Sequence, residues 1–121
     1  DNGESRVVLK LPAVLAPVKV CVMPLVKKDG LPEKARQIMD SLKFEFHCAY
    51  DEKDSIGKRY RRQDAIGTPF CITIDHQTLE DDCVTIRYRD TMQQERIKIS
   101  DLHDIVDKQV NMKNLFRKIM E

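Results

Sequence analysis

Apolar positions run along this chain in three rhythms. Val18 to Leu25, VKVCVMPL, is nearly continuous in apolar residues, which suits a central strand covered on both faces. Pro24 is expected to end its hydrogen bonding, KKDG to form a turn, and Pro32 to open a helix. From Pro32 to Phe44 the rhythm becomes helical: Ala35, Ile38, Met39 and Leu42 fall on one stripe. Phe46 to Tyr50 predicts a short second strand, and DEKDS a loop whose Asp54 or Ser55 caps the next helix. That helix begins at Ser55 and stops at Gly67, with Thr68-Pro69 preventing its continuation. Phe70 to Ile74 reads as another buried strand. Strand, helix, strand, helix, strand at this spacing predicts parallel strands joined by crossover helices.

The third rhythm is alternation. After a polar turn at Asp75 to Asp82, Cys83 to Arg89 places Val84, Ile86 and Tyr88 on one face and Thr85, Arg87 and Arg89 on the other. DTMQQ leads to a last strand, Glu95 to Ile99, with Ile97 and Ile99 inward; links this short imply antiparallel hairpins. Ser100 is the expected cap of a final helix striped by Leu102, Ile105 and Val106, and a second stripe runs through Met112, Leu115, Phe116, Ile119 and Met120. The pattern adds up to an α/β fold: three parallel strands with helices, then two hairpin-linked strands, in one sheet.

Composition narrows the classes. The 121 residues fit one domain with a real core, and 34% charged with 41% hydrophobic residues describe a soluble globular protein. The apolar run from Val7 to Val26 is broken by Lys10, Lys19, Pro12, Pro17 and Pro24, so it suits neither a membrane span nor a signal peptide. Residues 1–6 are polar, and RVVLKLPAVLAP reads as an extended linker pinned by Pro12 and Pro17. The chain begins at Asp1 without a methionine, the expected mark of an excised or trimmed fragment. Cys21, Cys48, Cys71 and Cys83 form no CxxC pair and have no histidine at ligand spacing, so buried reduced thiols are expected rather than zinc or disulfides. His47, His76 and His103 are scattered, and no P-loop, GxGxxG or nucleophile with a matched base is present, which argues against an independent active site.

Charge changes the picture at one place. Lys58, Arg59, Arg61 and Arg62 put four cations within five residues of a chain whose net charge is +1. At roughly 100° per residue, Ile56, Tyr60 and Gln63 share a face, with Arg59 and Ile66 at its border. Lys58, Arg61, Arg62 and Ala65 point the opposite way. A solvated helix face is the plain reading; the concentration of cations on a near-neutral chain favours a polyanion site. Arg87 and Arg89 are expected to join it from the strand face, on one rim if the third and fourth strands pair, since arginine forks suit phosphates and guanine edges. Tyr60 and Tyr88 fall on apolar faces, where packing is their expected role.

SIGKRYRRQDAIGTPFCITID, flanked by LKLPAVLAPVKVCVMPLVKKDGLPE and VTIRYRDTMQQERIKISDL, resembles the anticodon-binding domain of the dimeric, class II glycyl-tRNA synthetases over roughly residues 9–105. The resemblance implies a three-layer α/β/α domain at residues 18–121, with a five-stranded mixed sheet in which only the fourth strand is antiparallel, preceded by a linker at residues 1–17. It implies the tRNA(Gly) anticodon stem-loop as partner, a homodimeric cytoplasmic parent, and no cofactor in this stretch, with ATP, magnesium and glycine belonging to a catalytic core outside the chain. The residues it points to for tRNA binding are Lys58, Arg59, Arg61, Arg62, Gln63, Asp64, Arg87 and Arg89. Two positions depart from the family pattern: Ala65 stands where QDEIG has an acid, and Tyr88 where RDRD has one. Either acid would accept from a cytosine amino group, a role Asp64 and Asp90 remain to fill. The alternatives are a nucleic-acid-binding domain like that of the mitochondrial DNA polymerase accessory subunit, and a protein-interaction or dimerisation module.

Overall fold

The computed structural model describes residues 18–110; the linker at residues 1–17 and the stripe from Met112 to Met120 lie outside the described residues. The elements in chain order are β1 (Val20–Pro24), α1 (Leu31–Leu42), β2 (Cys48–Tyr50), α2 (Ile56–Ile66), β3 (Phe70–Ile74), α3 (Thr78–Asp81), β4 (Cys83–Tyr88), β5 (Gln94–Lys98) and α4 (Ile99–Val110). They build one sheet in the order β2-β1-β3-β4-β5. Strand β1 pairs in parallel with β2 and β3, while β4 runs antiparallel to both β3 and β5. The fourth strand is thus the reversed one, as expected.

Local chemistry explains the turns between these elements. Asp29 and Gly30 both take left-handed conformations, at φ 62° and 79°, to bring the chain from β1 into α1. Gly67, at φ 83°, ends α2: its N–H donates to the Asp64 carbonyl and the Thr68 N–H donates to the Gln63 carbonyl, the paired bonds of a Schellman stop. Several boundaries differ from the expected ones. Pro24 does not end the pairing of β1, because Leu25 N–H still donates to Ile74 O at 2.8 Å. Helix α1 stops at Leu42, which leaves Phe44 86% exposed, and Phe46 is a buried loop residue ahead of a shorter β2. The polar turn contains α3, nucleated where the Asp75 carboxylate accepts from the Thr78 N–H and hydroxyl. Ile99 opens α4, so Ser100 lies inside the helix rather than capping it.

The two sheet faces are covered differently. Helices α1 and α4 supply Leu31, Ala35, Ile38, Leu42, Leu102 and Val106 to the main core, against Val20, Val22, Ile72, Ile74, Val84 and Ile86. On the other face Cys21, Met23 and Cys71 meet Ile56 and Tyr60 of α2 in a small second cluster. The result is a three-layer α/β/α domain. Cys21, Cys48, Cys71 and Cys83 are all free thiols.

Candidate nucleic-acid interface

The basic segment forms a helix because Ser55 caps it, accepting from the Lys58 N–H, and Gly67 releases it. Its cations do not share one fate. Arg59 turns inward and is 3% exposed. Its guanidinium donates to the Pro24 carbonyl, to Leu25 O at 3.2 Å and to Asp54 O at 3.3 Å. Those acceptors are backbone carbonyls at the end of β1 and in the loop before α2. Arg62 is drawn to the same loop, where Asp51 and Asp54 take its two nitrogens, the second at 2.7 Å. Lys58 is exposed and Arg61 half-buried, on the side of α2 away from the sheet. Of the three cations the wheel turns outward, Lys58 and Arg61 stay on the outward side and Arg62 is held by acids, while Arg59, set at the border of the apolar face, is a buried strut.

Strands β3 and β4 do pair as neighbours, so Arg87 stands beside α2. The expectation that Arg87 and Arg89 offer open forks to a ligand is not met, because both side chains are occupied inside the protein. Arg87 is 7% exposed and meets Asp64 with both nitrogens, at 2.9 and 3.1 Å. Its guanidinium also lies over the Tyr60 ring, 4.7 Å from the centroid. Arg89, 3% exposed, donates from Nη1 to Gly67 O at 2.9 Å and from Nε to Asp90 at 2.7 Å. A cation buried this deeply needs such partners, since its desolvation is costly. Gln63 and Asp64 are buried too: Gln63 Oε1 accepts from the Thr68 hydroxyl at 2.8 Å. The Tyr60 and Thr73 hydroxyls meet at 2.7 Å, and burial pushes the phenol's pKa up. Tyr60 thus packs, as expected of it.

Two recesses lie near the β3–β4–β5 end of the sheet, the first of them lined in part by α2. One, of about 240 Å³, lies between α2 and the strip of β4 and β5 that no helix among the described residues covers; Ile56, Tyr60, Thr73, Thr85 and Gln94 line it. The other, of about 390 Å³, opens at the β4–β5 turn among Phe70, Tyr88, Arg89, Asp90, Gln93 and Glu95. There Tyr88 stacks edge-on against Phe70 at 5.8 Å and its hydroxyl donates to Glu95 at 3.3 Å. Glu95 is absent from the expected set, although the tight turn after β4 was a signal that it lies beside Tyr88. Among the described residues no group of three or more His, Cys, Asp or Glu side chains is placed to hold a metal ion. No helix among them is long and apolar enough to cross a membrane.

The domain is thus an α/β/α layer with a reversed fourth strand, and its cation-bearing helix lies beside a strip of β4 and β5 that no described helix covers. The fold is that seen in a crystal structure of prolyl-tRNA synthetase from Cryptosporidium parvum complexed with L-proline and AMP. The TM-score is 0.76 at 22% identity, covering 93% of this chain and 25% of that one. The family model described as the anticodon binding domain matches residues 19–109, and the chain belongs to that family. It is 58% identical over 111 residues to a glycine–tRNA ligase of Mycoplasma capricolum, covering 92% of this chain and 24% of that protein. It is 52% identical over 106 residues to that of Borrelia hermsii, covering 88% and 24%. It is 54% identical over 96 residues to that of Treponema pallidum, covering 79% and 21%. The chain thus spans about a quarter of the length of these relatives.

Proposed function

We propose that this domain binds the anticodon stem-loop of tRNA(Gly) on behalf of a glycine–tRNA ligase. A catalytic core elsewhere in that parent joins glycine to the tRNA with ATP and magnesium, in a cytoplasmic homodimer. The observation that carries the reading is the 50–58% identity to glycine–tRNA ligases over most of this chain. The geometry supports a division of labour among the eight polar residues. Lys58 and Arg61, with Arg62 at the loop flank, meet phosphates. Arg59, Gln63, Asp64, Arg87 and Arg89 hold the surface that presents them. Base reading falls to exposed acceptors at the β4–β5 turn, Asp90 and Glu95, which suit the amino groups of the two cytosines that glycine anticodons share.

The test is binding of a synthetic RNA hairpin bearing a glycine anticodon, across a salt series. Lys58→Ala/Arg61→Ala is expected to weaken binding by about 1 kcal/mol per phosphate contact and to flatten the salt slope by about 2. Changing the two cytosines is expected to cost about 1–3 kcal/mol per base, and duplex DNA to bind less well than the hairpin. Equal affinity for the hairpin, its changed version and duplex DNA would refute the reading.

A further inference from the structure

Helix α2 meets the sheet through little apolar surface and much directional bonding. Its apolar contacts are Ile56 and Tyr60 against Cys21, Met23 and Cys71. Its polar contacts recur at each turn of its buried side. Arg59 reaches the carbonyls ending β1, Tyr60 reaches Thr73 on β3, Asp64 reaches Arg87 on β4, and the Gly67 carbonyl reaches Arg89. Apolar burial has no direction and tolerates sliding and rotation. Two parallel bonds between a planar guanidinium and a carboxylate fix both distance and plane. Arg87 is itself fixed by its register, opposite Cys71 on β3 and Gln94 on β5, and by the Tyr60 ring beneath its guanidinium.

Stability is a poor account of this bridge, because removing two charges from water offsets most of their attraction. Helical spacing gives it another consequence. Arg61 lies one turn before Asp64 and Lys58 one turn before Arg61, both on the outward side of the helix. Arg62 is held against Asp51 and Asp54. Rotating α2 by one residue would turn Lys58 and Arg61 off the outward side they now share.

We propose that the buried Asp64–Arg87 bridge is a positioning device for RNA binding: it sets the rotation of α2 so that Lys58 and Arg61 stand on the helix's outward side. The inference rests on the tRNA-binding reading above. Neither residue of the bridge touches RNA; both act through the cations they orient.

The test is the apolar double replacement Asp64→Leu/Arg87→Met in the full chain, which leaves no buried charge stranded. It is assayed on the same glycine-anticodon hairpin and by thermal unfolding. Cooperative unfolding is expected to persist while hairpin affinity falls about tenfold with the salt slope unchanged, since no phosphate contact is lost. Undiminished affinity overturns the inference, and so does a slope reduced by about 1, which would make Arg87 a phosphate contact. Should the double variant not fold, Arg87→Lys keeps the charge and removes the fork. It is expected to lose affinity at constant slope, and full affinity overturns the inference equally. A wild-type chain that ignores the hairpin refutes the tRNA reading itself, an outcome distinct from these.

Discussion

The two faces of the sheet are held by different physics. Toward α1 and α4 the strands present Val20, Val22, Ile72, Ile74, Val84 and Ile86, each 0% exposed, to an apolar layer. Toward α2 the intervening positions of the same strands present Cys21, Met23, Cys71, Thr73 and Arg87. One face is organised by area and volume, the other by a handful of hydrogen bonds with fixed directions. The apolar face supplies most of the driving force for folding, at about 25 cal/mol per Å² of apolar surface buried. The polar face supplies little of it, yet determines which way the basic helix points. The division is useful because a recognition surface needs orientation more than it needs additional stability.

The comparison breaks most readily at Asp64. Asp64→Ala leaves the Arg87 guanidinium buried without its carboxylate, and is expected to cost about 3–5 kcal/mol in urea unfolding. The apolar double replacement is expected to cost much less, so the two changes are strongly non-additive. A single-variant loss below about 1 kcal/mol would mean that the α2 face is not organised by charge. A gentler change sharpens the contrast on the other side. Ile72→Val removes one methylene from the apolar core and is expected to cost about 1 kcal/mol, because such cores tolerate small losses of shape. If Arg87→Lys costs no more than Ile72→Val, the claim that direction matters more on the α2 face is wrong.

The smallest expected effect concerns pH, at the seam between α4 and the loop after α1. His103 bonds Glu45 at 2.6 Å, and the Glu45 carboxylate raises its pKa. The stabilisation is therefore complete below the unfolded imidazole pKa of about 6.5 and is lost as pH rises through the higher folded value. Wild-type Tm is expected to decline slightly from mildly acidic to alkaline pH, with His103→Gln removing that slope. Acid acts elsewhere with the opposite sign. Burial pushes Asp75 up, but Arg96 and Thr78 outweigh it, and the Cys83 N–H together with Arg96 lowers Asp81. Their contribution is present above the ordinary carboxylate range and disappears as pH falls through the lowered values.

Much of this was legible in the sequence. Alternation in CVTIRYR put Thr85, Arg87 and Arg89 on one face, and the spacing of apolar runs gave three parallel strands followed by hairpins. What failed was the inference from charge to exposure. Arg87 finds its partner 23 residues earlier in the chain, and only the β3–β4 pairing with α2 above it brings Asp64 within reach. Arg59 finds backbone carbonyls 34 and 35 residues away, and carbonyls carry no signature in a sequence. Arg62 was more readable: the acids of DEKDS sit immediately ahead of its helix, and two of them hold it. The α3 turn was readable as well, since Asp75 and Thr78 have the spacing of a side-chain cap.

The pairing of Cys21 with Cys71 across β1 and β3 has a kinetic consequence. Both sulfurs lie beneath α2, and burial pushes the Cys71 thiol up to about 12 and the Cys21 thiol up as well. At neutral pH neither is a nucleophile, and an alkylating reagent reaches them only when the helix lifts from the sheet. The modification rate then equals the fraction of time spent open multiplied by the reactivity of a free thiol. The two cysteines form an intrinsic clock for the detachment of the basic helix, and RNA held against that helix would slow it.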